Sequence, residues 1–131
     1  MKRLIILCWC LVAMIAAQAQ RNEIYNPNIA SLQVMAGSDW RNLPITQLGG
    51  NAIHIDFDEL SHDYHRYTYK IEHCEADWSA SQDIYENDYM TGYNDNLTIE
   101  NYEQSINTTQ LYTHYRLTIP NENCRLTLSG N

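Results

Sequence analysis

Two segments of this 131-residue chain alternate between apolar and polar side chains. Every second residue is apolar in Ile53–Asp58, and the same alternation recurs in Thr113–Ile119. Because successive side chains of a strand point to opposite faces of a sheet, a period of two predicts strands with one buried face. Helical periodicity is nearly absent after the first twenty residues, so the pattern favours an all-β fold.

Further strands are predicted at Ile29–Val34, at Tyr64–His73 and from Leu126 onward, separated by turn signals such as Pro120–Asn123. Short strands divided in this way are typical of an immunoglobulin-like or fibronectin-like β-sandwich. The segment Ser79–Asn96 is predicted to be a long loop with room for one short strand. It is also the expected main contact region, because recognition is often carried by loops on a rigid scaffold. The side chains expected in the core are Tyr67, Tyr69, Trp78, Tyr115 and Leu117.

The N-terminus has the pattern of a secretory signal peptide. Lys2 and Arg3 are followed by the apolar stretch Leu4–Ala17 and by Ala17-Gln18-Ala19, a small-x-small cleavage signature. Cleavage is expected after Ala19, which divides the chain into a signal peptide (1–19) and one β-sandwich domain (20–131). The last strand is followed by a turn with no returning strand, so the domain is expected to be the truncated first part of a longer, multi-domain protein.

The charge of the exported part excludes two classes of partner. Without Lys2 and Arg3, six of the eight basic residues remain against sixteen acidic ones, a net charge of −10. Nucleic-acid binding needs a basic patch, so it is not expected. Docking on anionic lipid is disfavoured for the same reason, and no direct insertion into a membrane is expected.

Cys74 and Cys124 are the cysteines outside the predicted signal peptide. An exported protein passes through an oxidising compartment, where a disulfide between them could form. Two free thiols are the other possibility, since spacing alone does not fix connectivity.

No catalytic or metal-binding pattern is found. His62, His65 and His73 are too far apart along one segment to converge without help from another segment, so no metal or cofactor is expected. Chance acidic pairs are common in so acidic a chain, and no nucleophile elbow, phosphate loop or zinc motif occurs. The chain is therefore predicted not to be an enzyme. The acids considered for a glycosidase pair were Asp56, Asp58, Glu59, Glu75 and Asp77.

Aromatic residues leave a second function open. Trp40, Trp78 and the tyrosines of Gln82–Tyr93 could stack on sugar rings, as in a secreted carbohydrate-binding or glycan-sensing β-sandwich module. Such a platform requires two or three exposed, coplanar rings.

Four collinear segments resemble a known family: Ile24–Val34, Leu43–Gly50, Phe57–Trp78 and Asn107–Asn123. They are similar to the N-terminal domain of the type IX secretion system plug proteins of Bacteroidetes. The resemblance implies a non-catalytic periplasmic protein that associates with outer-membrane translocon subunits and closes the translocon pore from the periplasmic side. Members of that family are several times longer than this chain.

Overall fold

A computed structural model describes residues 23–92 and 96–131. The predicted signal peptide, 1–19, lies outside these residues. Nine elements follow one another in the described part. They are β1 (Ile29–Ala36), β2 (Ile53–Glu59), β3 (Thr68–Tyr69), α1 (Glu86–Tyr89), β4 (Met90–Gly92), β5 (Leu97–Thr98), β6 (Asn101–Gln104), β7 (Thr113–Ile119) and β8 (Cys124–Leu126).

The strands form open antiparallel sheets, which confirms the predicted all-β sandwich. The main sheet has the order β1-β2-β7-β6. Two short ribbons, β3–β5 and β4–β8, belong to the second layer. The three predicted strands β1, β2 and β7 therefore lie side by side, although β2 and β7 are far apart in the sequence.

The core begins on the inner face of β2 and β7. Phe57 lies directly opposite Tyr115, with the two rings stacked at a centroid distance of 5.2 Å. Tyr67 from the second layer packs edge-on against both rings, at 5.2 and 4.9 Å. Tyr115 is fully buried, and Leu117 and Ile99 complete this cluster. The expected burial of Tyr115 and Leu117 is confirmed, while Tyr67 and Tyr69 are only partly buried.

A second cluster lies between the two ribbons. It contains the buried residues Tyr89, Met90, Leu97 and Cys124. Tyr89 and Met90 fall inside Ser79–Asn96, which the sequence predicted as a long loop with room for one short strand. The short strand is β4, which pairs with β8. The helical turn α1 was not predicted.

Buried tyrosines give the core a dependence on alkaline pH. Burial raises the pKa of Tyr67, Tyr69 and Tyr115 above the ordinary value of 10.0, since the phenolate is poorly solvated there. A pKa that is higher in the folded chain means full stability below about pH 10, lost as the pH rises through the folded value. We expect the urea midpoint to fall between about pH 9 and 11. A midpoint that stays constant over this range would contradict the burial of the hydroxyls.

The predicted strand Tyr64–His73 is mostly wrong. Only Thr68 and Tyr69 are in a strand, because their partner β5 is itself two residues long. The rest of the segment is held by single contacts: the His65 backbone binds the Tyr115 hydroxyl, and the Tyr67 and His73 carbonyls accept from the N–H groups of Ile99 and Ser81. The alternation of residue types therefore predicted that the side chains of Tyr67 and Tyr69 turn toward the core, but it did not predict which backbone groups pair.

Trp78 is not a core residue. Its side chain is 44% exposed and its φ is 65°, in the left-handed region. A tight turn produces this conformation: the Trp78 N–H donates to the Glu75 carbonyl, and Asp77 accepts hydrogen bonds from both the N–H and the hydroxyl of Ser79. The same hydrogen bonds lower the pKa of Asp77. The turn points the indole away from the sheets.

Replacing Trp78 by glycine is expected to change the free energy of unfolding by less than about 1 kcal/mol, because glycine adopts positive φ without strain. A buried tryptophan would cost about 3–5 kcal/mol on truncation. Urea unfolding of the two proteins measures the difference. A loss of more than about 3 kcal/mol would mean that the indole supports the core after all.

Candidate functional site

The outer face of β2 and β7 carries three cross-strand polar pairs, called here the polar ladder. His54 Nδ1 lies 2.9 Å from the hydroxyl of Thr118. Asp58 accepts from His114 Nδ1 at 2.8 Å. Each pair joins residues that are direct partners in the ladder of backbone hydrogen bonds. The register that buries Phe57 against Tyr115 therefore also aligns these polar side chains on the opposite face.

The central rung is an ion pair between Asp56 and Arg116. The guanidinium donates two parallel hydrogen bonds to the carboxylate, at 3.0 and 2.9 Å. The hydrogen bonds to Asp56, and then its charge, raise the pKa of Arg116. The Asp56 side chain is 10% exposed and that of Arg116 is 49% exposed. The pair neutralises the buried carboxylate and leaves one edge of the guanidinium on the surface.

A shallow polar cleft of about 400 Å³ runs along β6 and β7 beside the ladder. Its lining offers amide, hydroxyl, imidazole, carboxylate and guanidinium groups. Such a surface can hydrogen-bond a polar partner along an extended contact, but it does not enclose a small molecule. The lining residues are Asn101, Glu103, Gln104, Ser105, Tyr112, His114 and Arg116.

Glu59, Ser61 and His65 form a second polar cluster, at the end of β2. Glu59 is 1% exposed and accepts hydrogen bonds from the backbone N–H and the hydroxyl of Ser61. His65 Nδ1 lies 3.4 Å from the same carboxylate. In a nucleophilic triad the serine would donate to the imidazole, and the carboxylate would hold the other ring nitrogen. Here one ring nitrogen faces both groups, so the cluster fastens the chain after β2 and does not activate Ser61.

Each of the five acids named as candidates for a glycosidase pair binds a partner within the fold. Asp56 and Asp58 bind Arg116 and His114, and Glu59 points to the opposite face of β2. Glu75 accepts from Ser81, and Asp77 belongs to the Trp78 turn. Within residues 23–92 and 96–131, no three histidine, cysteine or acidic side chains come together as metal ligands do.

The cysteines are free thiols in the structure, with Cys124 buried and Cys74 partly exposed. Cys124 Sγ lies 3.8 Å from the Tyr69 hydroxyl. The disulfide between them stays a prediction. Alkylation in denaturant without reductant decides between the two states: a disulfide blocks labelling at both positions. If the thiols are free, we expect Cys124 to be labelled only when the protein unfolds, because its side chain is inaccessible.

The aromatic rings predicted to stack on sugars are scattered. Trp40, Trp78 and Tyr85 are 74%, 44% and 76% exposed. In the part of the chain that the structure describes, none of the three contacts another aromatic ring. Tyr93, which belongs to the same prediction, lies outside the described residues. The exposed rings of Tyr64 and Tyr102 do contact each other, at a centroid distance of 4.8 Å, but their planes are inclined by 41° and are not coplanar.

These features define a class: a small β-sandwich domain whose polar side chains are largely paired within the fold. The chain belongs to the family described as the type 9 secretion system plug protein 1st domain, whose model matches residues 29–131. This confirms the family predicted from the four segments. The description of the family connects the chain with the type 9 secretion system.

A solved structure is similar to most of this chain. The crystal structure of a hypothetical protein from Parabacteroides merdae, at 2.30 Å resolution, superimposes with a TM-score of 0.77 and 38% sequence identity. The match covers 82% of this chain but 27% of the other, so this chain spans about a quarter of that protein. No curated protein matches. Over the described residues, no helix is both long and apolar enough to cross a membrane.

Proposed function

We propose that this domain is part of a periplasmic plug that closes the outer-membrane pore of the type IX translocon when no cargo passes. The observation that carries the proposal is the family match over residues 29–131. The translocon subunits of the outer membrane are its partners, and the full plug includes the domains found in longer relatives.

The surface of the domain supports a role in contact. The acids that were candidates for catalysis each bind another residue of the fold, as Asp56 binds Arg116 and Asp58 binds His114, so their carboxylates stabilise the structure. Within the proposed contact region Ser79–Asn96, Tyr89 and Met90 are buried, whereas most of the other described residues, including Tyr85–Asp88, are exposed and available for contact. Residues 93–95 of that region lie outside the described residues.

Export is part of the same proposal. The predicted signal peptide, residues 1–19, delivers residues 20–131 to the periplasm. N-terminal sequencing of the protein isolated from the cell envelope is expected to begin at Gln20. A protein that retains Lys2 and Arg3 would instead be anchored by its N-terminus or not exported.

Two measurements test the plug role together. The full-length protein, tagged, is expected to co-purify with the outer-membrane translocon. Cells lacking it are expected to admit a large hydrophilic antibiotic that intact outer membranes exclude, and restoring the gene should reverse this. An unchanged permeability, with no translocon in the purified material, would contradict the proposal.

The carbohydrate-binding alternative has its own test. Titration of the domain with periplasmic and cell-surface glycans should give no quenching of the two exposed tryptophans, because the described rings form no platform. Saturable quenching that disappears in both Trp40→Ala and Trp78→Ala would favour the glycan function instead.

A further inference from the structure

The connection between β1 and β2 exposes an unusual amount of apolar surface. Residues 38–51, called here the apolar loop, carry four large side chains pointing to solvent. Their exposed fractions are 74% for Trp40, 70% for Leu43, 76% for Ile45 and 52% for Leu48. Single exposed apolar residues are ordinary, but a contiguous group of this kind marks a contact surface.

The backbone of the apolar loop is held by its own hydrogen bonds. The Gly37 N–H donates to the Ala52 carbonyl at 2.9 Å and closes the base of the loop. The Asn42 amide side chain donates to the Ala36 carbonyl at 3.0 Å, and the Gly50 N–H donates to the Gln47 carbonyl at 2.8 Å. The loop therefore has a defined shape without packing its apolar side chains into the sandwich.

The charge pattern of the loop points to an apolar partner. No acidic residue occurs in 40–52, although the chain contains sixteen. The positive charge of Arg41 is taken up by a two-point contact with Asp39, at 3.1 and 2.9 Å. A surface that attracts a basic or acidic partner would carry unpaired charge, whereas this one offers hydrocarbon and aromatic area.

The loop projects from one end of the main sheet. Ala36, the last residue of β1, pairs with Ile53, and Ile53 pairs with Ile119 at the end of β7. The loop and the chain leaving β7 are therefore at the same end of the sandwich.

The second layer runs toward that same end. The His65 backbone contacts the Tyr115 hydroxyl, halfway along β7. Four residues later, the Tyr69 hydroxyl accepts a hydrogen bond of 2.8 Å from Asn121, which lies past the end of β7. The chain from His65 to Tyr69 thus advances along β7 toward the end that carries the loop.

The last residue pairs with the chain five residues beyond Tyr69. Asn131 and Cys74 are joined by two backbone hydrogen bonds of 2.9 and 3.2 Å. We take the chain from Tyr69 to Cys74 to keep the direction set by His65 and Tyr69, so a polypeptide that continues from Asn131 in a longer protein starts on the side of the apolar loop. A tethered neighbour at this end has a high effective concentration, so a small apolar contact is enough to dock it.

We infer that the apolar loop is the docking surface for the domain that follows this one in longer plug proteins. The inference rests on the family, described as a first domain, and on the longer solved relative; it does not depend on the pore-closing role. Trp40, Leu43, Ile45 and Leu48 supply the contact, and the partner presents an apolar surface. The loop then fixes the angle between the first domain and the rest of the protein.

The crystal structure of the longer Parabacteroides merdae protein gives the direct test. We expect the side chains aligned with the four apolar residues to lose most of their exposed surface when the remaining part of that chain is included. The position aligned with Ile106, which is 80% exposed here, serves as a control and should stay exposed. Aligned loop residues that remain in solvent in the longer chain would overturn the inference.

Substitutions test the loop in solution. The triple variant Leu43→Ser/Ile45→Ser/Leu48→Ser of the 131-residue chain is expected to keep its Tm, because these side chains do not support their own sandwich. The aligned serine variant of the longer relative is expected to unfold its first domain at a lower temperature, while an Ile106-aligned serine variant is not. A large loss of Tm in the 131-residue chain, or none in the longer relative, would refute the docking role.

A lipid surface or a second copy of this chain could also cover the apolar loop, and each would give a different result. Hydroxyl-radical footprinting of Trp40 in the 131-residue chain should be unchanged by phosphatidylcholine vesicles; protection would assign the loop to a lipid surface. Sedimentation should show no dimer that depends on the loop. A dimer abolished by the triple variant would assign the loop to a second copy of this chain.

Discussion

Replacing Gly92 by alanine is expected to destabilise the domain more than the same replacement at any of the other four glycines. Gly92 has a φ of 118°, and a Cβ built there would lie 2.0 Å from the carbonyl oxygen of Asn123. Backbone must move to relieve that contact, and Gly92 pairs with Cys124 of the second core cluster. Overpacking and the strain of positive φ together are expected to cost about 3 kcal/mol or more.

Gly49→Ala is the matched control. Gly49 also has a positive φ, 75°, but a Cβ there meets no atom within 4 Å. We expect this variant to lose only the strain component, about 1 kcal/mol. The difference in stability between the two variants, measured by thermal unfolding, gives the cost of the steric contact at Gly92 apart from the strain of the positive φ. Equal losses would mean that the β4–β8 ribbon shifts freely and that the second cluster contributes little.

Removing the hydroxyl of Tyr115 is expected to be the other costly change. The hydroxyl accepts from the His65 N–H at 2.8 Å and donates to the His65 carbonyl at 3.0 Å. Only Thr68 and Tyr69 of the segment Tyr64–His73 are in a strand. The two hydrogen bonds between Tyr115 and His65 therefore hold the start of that segment on the sheet, where a strand would be held by backbone pairing. Tyr115→Phe leaves both backbone groups without that partner and should cost about 1–3 kcal/mol.

Tyr67→Phe is the control for the tyrosine. Tyr67 packs edge-on against the same rings, but its hydroxyl makes no hydrogen bond to any described residue. We expect a change within about 0.5 kcal/mol. Tyr115→Ala, which also removes the buried ring, should cost about 3–5 kcal/mol. If Tyr115→Phe proved as stable as Tyr67→Phe, the segment after β2 would be held by ring packing alone.

The sequence was sufficient to locate the strands in which apolar and polar residues alternate. Period-two alternation in Ile53–Asp58 and Thr113–Ile119 identified β2 and β7 and the correct buried face of each, because burial on one side of a strand selects every second residue. The edge strand β6 was missed, since Asn101–Gln104 is exposed throughout and has no apolar face to detect.

The polar ladder shows what a single strand cannot reveal. His54, Asp56 and Asp58 were recognised as one face of a strand, but their partners belong to β7, some sixty residues later in the chain. Only the register of β2 against β7 places Asp56 opposite Arg116 and Asp58 opposite His114. The same register gives each of the three side chains a partner on β7.

Local sequence determined that this chain forms a β-sandwich, and the amino-acid sequences of four segments identified its family. The tertiary structure decided the rest. It placed Trp78 in solvent, since a turn and not hydrophobicity sets the direction of its side chain. It buried Met90, since a ribbon with β8 covers it. It also brought the apolar loop and the turn that follows β7 to one end of the sandwich, because the order of strands in a sheet depends on long-range pairing that no local pattern encodes.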